Sequence, residues 1–287
     1  GSVDVVYNPN ANATVNSITI QNDGKALIGG QFTLIGGTTR NHMARLNTDG
    51  SVDAAFDPDV NAVVSAIVIQ ADEKIVIGGS FTSVAGTARN FMARLTAKGN
   101  LDANYNPNAN SGIYTIALQA DGKAVIGGAF TTVGGVTRNR IARLNIDGTA
   151  DAVFNPNALN AVFSLSIQSD GKILVAGDFD TIGSEPRNRI ARLETDGSVD
   201  MSFDPDSNSA VFAVATQTDG QILIGGLFTT VSAQSRNYFA RLNIDGTVET
   251  TFNPDANNLV FATAIQADGK VLIGGMFTQV DGQPRNA

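Results

Sequence analysis

The sequence contains no cysteine and no tryptophan, and its only histidine is His42. Without cysteine there is no disulfide framework, no thiolate nucleophile and no zinc–thiolate site. A mechanism that needs two histidines is excluded as well. No apolar run approaches the roughly 18 residues of a membrane-spanning helix, and no signal peptide is recognisable. We therefore expect a soluble mature domain, or a fragment of one.

Basic residues are also scarce. Among 287 residues there are 19 Lys and Arg against 27 Asp and Glu, which gives a net charge of −8 at pH 7. Nucleic acids and anionic membrane surfaces attract basic proteins, so we expect no nucleic-acid partner and no membrane insertion. Hydrophobic residues make up 43% of the chain, enough to form a core, which argues against intrinsic disorder.

What the chain has in quantity is internal repetition. The dipeptide Arg-Asn returns every 49 residues, and a proline column and a diglycine column keep the same spacing. The arginines of this dipeptide are Arg40, Arg89, Arg138, Arg187, Arg236 and Arg285. Six repeats of 49 residues would need seven more residues after Ala287, matching Phe239–Asp245. We expect one domain over residues 1–287, which is a fragment of a longer protein.

One repeat, residues 149–197, reads as four strands. TADAVF (149–154) ends at an Asn-Pro pair, VFSLSIQ (162–168) alternates polar and apolar residues, KILVAGDF (172–179) is apolar throughout, and RIARLE (189–194) follows a longer loop. Asp-Gly turns separate the tightly joined strands. No segment shows useful helical periodicity. The pattern predicts an all-β fold of four-stranded antiparallel meanders.

A single meander cannot bury both of its faces, so the repeats must stack, in an open array or a closed ring. The chain begins with Val3–Tyr7, a strand that ends a repeat, and stops before the sixth repeat's third strand. This circular offset favours closure. We predict a six-bladed β-propeller whose sixth blade is closed by the N-terminal strand and is incomplete at the C-terminus.

The recurring string, for example DGKAVIGGAFTTVGGVTRNRIARLNIDG at residues 121–148, resembles the bacterial delta-60 repeat family of predicted β-propellers. The resemblance covers all six repeats. It implies a large secreted or surface-attached bacterial protein, and therefore an extracellular or cell-surface location. It brings no catalytic residues, because the family has no established activity.

Residues present in every repeat are interpreted as structural. Eleven of the thirteen arginines fall into two columns, the Arg-Asn column and an Ala-Arg-Leu column. A tight turn would place Arg143 of the second column opposite Asp151, so we expect a cross-strand ion pair there and in the other repeats. The diglycines lack the Lys and the helix of a phosphate loop, so we expect them to allow close approach of neighbouring blades.

The loops that contain Asx-Pro-Asx offer a weak case for a metal. Alternating side-chain oxygens imitate a calcium loop, and only the loops with Asp57 and Asp59, and with Asp204 and Asp206, have enough charge. Asx side chains also cap turns, which is the interpretation we favour. We expect no cofactor, with calcium as the weak alternative.

Positions that vary between repeats are the candidate ligand-binding residues. One column follows Arg-Asn and contains His42, Phe91, Arg140, Arg189 and Tyr238. It forms either a recognition rim or an unconstrained, exposed strand start. A second column contains Tyr114, Phe163, Phe212 and Phe261, with Asn16 and Ser65 in the first two repeats. Its aromatic rings either stack on a sugar or apolar group, or pack between blades.

Both columns fall on the looped face, opposite the short Asp-Gly turns. The sequence thus favours a non-enzymatic extracellular module that binds protein or glycan there or contacts neighbouring domains of its parent chain, or a structural spacer or assembly subunit. The alternative is a propeller-type hydrolase or lyase. Few acids break the repeat, and Asp178 and Asp180 are expected to point the same way on one strand. Without a complementary base they do not make an active site, and we expect no catalysis.

Overall fold

A computed structural model describes residues 7–285 of the chain. These residues form strands, turns and loops, and none of them is helical. In this range, accordingly, no helix is long and apolar enough to cross a membrane. The all-β prediction is confirmed. There are two compact units: Gly1–Ala124, Phe130–Thr137 and Leu144–Asp151 form the first, and Val125–Ala129, Arg138–Arg143 and Ala152–Ala287 form the second.

Each repeat contains a first, second and third strand, with a short two-stranded hairpin between the second and the third. We number the repeats 1 to 6, for residues 8–56, 57–105, 106–154, 155–203, 204–252 and 253–287. Repeats 1 to 3 contain β1 (Val15–Ile20), β2 (Ala26–Gly30), β3 (Leu34–Ile35), β4 (Thr38–Thr39), β5 (Met43–Leu46), β6 (Val64–Ile69), β7 (Ile75–Gly79), β8 (Ser83–Val84), β9 (Thr87–Ala88), β10 (Met92–Leu95), β11 (Ile113–Leu118), β12 (Ala124–Gly128), β13 (Thr132–Val133), β14 (Val136–Thr137) and β15 (Ile141–Leu144). Repeats 4 to 6 contain β16 (Val162–Ile167), β17 (Ile173–Gly177), β18 (Thr181–Ile182), β19 (Glu185–Pro186), β20 (Ile190–Leu193), β21 (Val211–Thr216), β22 (Ile222–Gly226), β23 (Thr230–Val231), β24 (Gln234–Ser235), β25 (Phe239–Leu242), β26 (Val260–Ile265), β27 (Val271–Gly275), β28 (Gln279–Val280) and β29 (Gln283–Pro284).

The first, second and third strands pair in sequence order. Sheets of three strands form in repeats 1 to 5, and repeat 6 has the two-stranded sheet β26–β27. The second strands of repeats 1 to 5 are buried along their whole length, as the apolar pattern predicts, whereas β27 is only partly buried. The meander prediction is therefore confirmed for these three strands.

The prediction of four-stranded sheets is wrong in the described repeats. The segment predicted as a fourth strand forms a single bridge, such as Leu193 with Val199 in repeat 4. It turns immediately afterwards, because the Asp200 side chain accepts the amide of Ser202 and so favours a turn over an extended strand. The loop before Arg-Asn contains a hairpin, β18–β19, that was not predicted. Of the predicted closing strand Val3–Tyr7, only Tyr7 lies within the described residues.

A β-bulge interrupts the pairing of the first and second strands. In repeat 4, Val162 is opposite Gly177 and Ser164 is opposite Ala176, so Phe163 is an extra residue that the pairing register skips. The same shift occurs in repeats 1, 2, 5 and 6. A bulge redirects the side chain of the extra residue. In each of these repeats, the extra residue belongs to the second variable column of the sequence analysis.

The diglycines allow close approach, as predicted. A β-carbon on Gly225 would lie 2.7 Å from Val260 Cγ1 in the next repeat. One on Gly226 would lie 2.2 Å from the backbone oxygen of Ala210, inside the same repeat. The first glycine therefore makes room for a neighbouring repeat, and the second makes room for the chain entering its own first strand.

The arginine of the Ala-Arg-Leu column links one repeat to the next. Arg192 Nε lies 2.8 Å from Asp200 Oδ2, and its guanidinium carbon is 4.4 Å from the centre of the Phe203 ring. Its Nη1 donates to the carbonyl of Ile244, which is 52 residues further on, in the following repeat. Arg45, Arg94 and Arg143 donate at the same spacing. The predicted ion pair is confirmed for Arg45, Arg94, Arg192 and Arg241.

The arginine of the Arg-Asn column fixes the loop that leads into the next repeat. Arg40 is buried, and it donates to the carbonyls of Thr39, Ala54 and Phe56. Arg89 makes the corresponding bond to Ala103. Since these partners are backbone carbonyls of its own repeat, this column has the structural role that its repetition indicates.

Asp53 makes part of the stability dependent on pH. A hydrogen bond from Lys25, with further ones from the Ala55 amide and from Arg45, lowers the pKa of Asp53 from 3.8 to about 2, although burial acts in the opposite direction. A carboxyl group with a lower pKa in the folded state stabilises it above the unfolded pKa, and this stability disappears as the pH falls through the folded pKa. We expect a loss of about 2 kcal/mol from this group between about pH 4 and pH 2.

Urea unfolding at a series of pH values measures this contribution. Asp53→Asn is expected to be less stable than wild type at pH 7 and to lose less stability on acidification. Glu73→Gln, at an exposed turn, is the control and should follow wild type. Equal acid dependence of wild type and Asp53→Asn would contradict the assignment.

Candidate ligand-binding surface

The two longer loops of each repeat lie at the same end of its strands. The Asx-Pro-Asx loop forms a bridge to the hairpin that precedes Arg-Asn, for example between Ala158 and Ile182. The asparagine of Arg-Asn reaches across as well, since Asn188 Nδ2 donates to Asp206 Oδ1 at 2.8 Å. The prediction that these loops share one end is confirmed within each unit, and we call this end the looped end.

In five repeats an asparagine ties these loops together, an arrangement we call the asparagine bracket. In repeat 5, Asn208 Nδ2 donates to Thr229 Oγ1 at 3.0 Å, and its Oδ1 accepts the amides of Thr229 and Thr230. The other bracket pairs are Asn12–Thr33, Asn61–Thr82, Asn110–Thr131 and Asn257–Thr278. Each bracket satisfies two backbone donors, so it stabilises the loop.

The calcium candidates have protein partners in the structure. Asp59 Oδ1 accepts a hydrogen bond from Asn41 at 2.9 Å, and Asp206 does so from Asn188. Asp57 lies 3.5 Å from Arg40 Nη1, and Asp204 lies 3.6 Å from Arg187. Between residues 7 and 285, no three His, Cys, Asp or Glu side chains come together as a metal site would require. Calcium binding stays a prediction of the sequence alone.

The first variable column is neither unconstrained nor exposed, so that interpretation is wrong. His42, Phe91, Arg140, Arg189 and Tyr238 are half-buried, and all have positive φ angles, from 61° to 68°. Such angles are uncommon outside glycine. Both backbone groups are fixed, since the amide of Tyr238 donates to Phe228 and its carbonyl accepts the amide of Gly226. Side chains of the column also turn back on the second strand: His42 Nδ1 lies 3.2 Å from the Gly30 oxygen.

The second variable column divides between the units. Tyr114 lies in the first unit and is 36% exposed. Phe163, Phe212 and Phe261 lie on successive repeats of the second unit, and we call them the phenylalanine ladder. Their ring centres are 5.5 Å and 5.4 Å apart, with tilts of 51° and 47°. Because Phe261 is 47% exposed, the ladder combines packing between repeats with an accessible aromatic surface.

Repeat 4 places a polar cluster beside this ladder. Asp178 Oδ2 accepts a hydrogen bond from Asn160 at 3.0 Å, and Asp178 Oδ1 lies 3.4 Å from Arg189 Nε. Asp178 follows Gly177, where β17 ends, and Asp180 is exposed. The expectation that the two carboxylates share one side of a strand is therefore wrong, because neither residue belongs to a strand. We call Asn160, Asp178, Asp180 and Arg189 the repeat-4 cluster.

A sequence profile matches this architecture in every repeat. The profile, described as a β-propeller domain of unknown function, DUF5122, matches residues 21–56, 70–105, 119–154, 168–203, 217–252 and 266–287. The chain belongs to this β-propeller family. No curated protein shows significant sequence similarity to it.

Solved structures with the same fold are distant in sequence. Virginiamycin B lyase from Staphylococcus aureus aligns with a TM-score of 0.62 at 20% identity, over 92% of this chain and 78% of the lyase. A streptogramin B lyase aligns with a TM-score of 0.61 at 17% identity, over 92% and 77%. A computationally designed protein aligns with a TM-score of 0.58 at 13% identity, over 94% and 72%. These similarities concern the fold alone.

Sequence reasoning missed one feature of the looped end, the exchange of a whole bracket. Repeat 4 has Leu159 where the other repeats have asparagine, and Asp180 where they have threonine. The signal is visible in an alignment of the repeats at a spacing of 49. It becomes meaningful only once the structure shows that the two columns are bonded to each other.

Proposed function

We propose that this chain is a non-enzymatic β-propeller module that binds glycan at the looped end of its second unit. The phenylalanine ladder carries this proposal. Aromatic rings bury much apolar area at little entropic cost and present flat faces to a ligand. The bulge frees each ladder residue from strand pairing, and the exposure of Phe261 leaves a face accessible. Binding of protein, or a role as a spacer or assembly subunit, remains the alternative within the same class.

The finer architecture and the location belong to the same proposal. We infer six blades, with Val3–Tyr7 completing the sixth, since these residues continue the repeat register. The resemblance to delta-60 repeats supports an extracellular or cell-surface location in a bacterium.

The site chemistry favours binding over catalysis. General acid–base catalysis needs a titratable group that can reach a reacting atom. The Asp178 carboxylate is ion-paired with Arg189 and bonded to Asn160, and His42 directs Nδ1 toward a backbone oxygen. Two of the structures with this fold are lyases, and their identity of 20% or less supports the hydrolase or lyase alternative only at the level of the fold.

Replacing the ladder tests the proposal. We expect wild type to bind at least one of cellohexaose, maltohexaose and chitohexaose in isothermal titration calorimetry. The triple variant Phe163→Leu, Phe212→Leu, Phe261→Leu should bind about tenfold more weakly, equivalent to ~1.4 kcal/mol, because the stacking faces are gone while apolar packing is kept. Ile244→Ala, an exposed apolar residue at the turn end, is the control and should bind as wild type does.

Three outcomes would contradict the proposal. No heat of binding with any of the three neutral hexasaccharides would exclude them as ligands and argue against a glycan module. Equal affinity of the ladder variant and wild type would place binding elsewhere. Shorter saccharides appearing during incubation with wild type would overturn the non-enzymatic assignment.

A further inference from the structure

In repeat 4 the two residues of the asparagine bracket are replaced, so the hydrogen bonds of the bracket are lost and two backbone amides are left without their side-chain acceptor. In the other repeats the asparagine Oδ1 accepts two consecutive amides, as Asn208 does from Thr229 and Thr230. The corresponding amides in repeat 4 are those of Asp180 and Thr181, and Leu159 offers them no acceptor. Leu159 is 59% exposed. Both residues of the bracket pair differ in repeat 4, so this loop lacks the whole bracket rather than a single hydrogen bond.

The exchange leaves the Asp180 carboxylate open to a ligand. Within residues 7–285, no hydrogen bond or ion pair involves this carboxylate, and Asp180 is exposed. The threonine at the same position in the other repeats is bonded to its asparagine. Repeat 4 therefore presents a carboxylate acceptor next to backbone amide donors. The other repeats have a fully hydrogen-bonded asparagine bracket at the same place.

A second change lies beside the first. The column of Asp178 contains Gln31, Ser80, Ala129, Leu227 and Met276 in the other repeats, so only repeat 4 pairs a carboxylate with the arginine of the variable column. Arg189 also donates from Nη1 to the carbonyl of Phe179 at 3.1 Å, which fixes the guanidinium in place. Asn160, Asp178 and Arg189 thus form a rigid set of donors and acceptors.

Backbone pairing places this set next to the first ring of the phenylalanine ladder. The amide of Asp178 donates to the carbonyl of Ala161 at 2.9 Å, and Phe163 is the bulge residue two positions further on. The cluster and the ladder therefore belong to one stretch of the looped end, inside the second unit.

We propose that the repeat-4 cluster is the specificity subsite of the glycan surface: it binds neighbouring hydroxyl groups of a neutral saccharide whose rings stack on the ladder. This inference rests on the proposed function. Each hydroxyl both donates and accepts, and the cluster offers acceptors at Asp178 and Asp180 beside donors at Asn160, Arg189 and the backbone. With two carboxylates against one guanidinium, the cluster carries a net negative charge. It therefore selects against saccharides with carboxylate groups.

Restoring the bracket tests the subsite without damaging the fold. The double variant Leu159→Asn, Asp180→Thr gives repeat 4 the pair found in the other five repeats, so its melting temperature should equal or exceed that of wild type. We expect its affinity for the neutral hexasaccharide to fall about tenfold by calorimetry. The reverse exchange in repeat 2, Asn61→Leu with Thr82→Asp, leaves the cluster intact and should not change affinity.

Charge selectivity is a second readout. Wild type should bind hexagalacturonic acid much more weakly than the neutral hexasaccharide, and Asp180→Asn should narrow this difference because it removes one negative charge. Unchanged affinity and unchanged selectivity in both repeat-4 variants, with weaker binding by the ladder variant, would overturn the subsite and leave the glycan module standing. If the double variant bound more weakly while the ladder variant bound as tightly as wild type, the result would support the subsite and overturn the role of the ladder.

Discussion

Gly226→Ala is expected to destabilise the protein by about 3 kcal/mol, at the upper end of the cost of overpacking a core. The added β-carbon would lie 2.2 Å from the Ala210 carbonyl oxygen and 3.0 Å from the Phe228 ring. The nearest atom belongs to the backbone just before β21, so it cannot turn aside as a side-chain end could. All six repeats have glycine at this position. Urea unfolding, followed by the midpoint and the slope, measures the effect.

The neighbouring glycine supplies the control. Gly225→Ala brings a β-carbon to 2.7 Å from Val260 Cγ1, a side-chain atom, and repeat 4 already has Ala176 at the same position. We expect a cost below about 1 kcal/mol, because the neighbouring side chain can shift. If the two alanine variants were equally stable, the distinction between backbone and side-chain crowding would be wrong.

Arg192→Ala should cost about 3 kcal/mol, because removing one member of a buried ion pair leaves its partner poorly compensated. The variant loses the contact with Asp200, the stacking over Phe203 and the bond to the carbonyl of Ile244 in the next repeat. The last loss is the largest structural consequence, since it removes a tie between repeats. Urea unfolding and amide hydrogen exchange at the turn around Ile244 would both report it.

Arg241→Ala is the matched variant. Arg241 has the same ion pair, with Glu249 at 3.0 Å, and the same stacking, over Phe252 at 4.2 Å. Within residues 7–285, Arg241 donates to Glu249 and makes no hydrogen bond to a following repeat. Its side chain is also more exposed, at 23% against 7% for Arg192. We expect a cost of about 1 kcal/mol, as for a partly solvated pair. A cost as large as that of Arg192→Ala would show that the tie between repeats contributes little.

Much of the fold could be predicted from the sequence because the same strand pattern occurs in every repeat. The alternation in VFSLSIQ and the apolar run in KILVAGDF place two strands correctly, and the register of Arg143 and Asp151 indicates an ion pair that four equivalent pairs confirm. The prediction of a fourth strand was wrong because Asp200 is compatible both with an extended strand and with a turn that its side chain caps. In the folded chain Asp200 also forms ion pairs with Lys172, just before β17, and with Arg192 in β20, which the local sequence does not show.

The candidate site was only partly predictable. Comparison of columns finds positions that vary, and so it found Phe163, Phe212 and Phe261. It does not show that these residues occupy bulges, since a bulge depends on how two strands pair rather than on the residue itself. The positive φ angles at Phe91 and Tyr238 were equally hidden, because neither residue type favours that conformation.

The bulge gives this fold a place where sequence can change without altering strand pairing. At a paired position, exchanging a residue alters a cross-strand contact on which the sheet depends. No residue of the neighbouring strand lies opposite the bulge residue, and the chain accordingly carries asparagine, serine and phenylalanine there. These five bulge positions suit combinatorial diversification: a library randomised only at residues 16, 65, 163, 212 and 261 would vary the side chains presented there while keeping one scaffold.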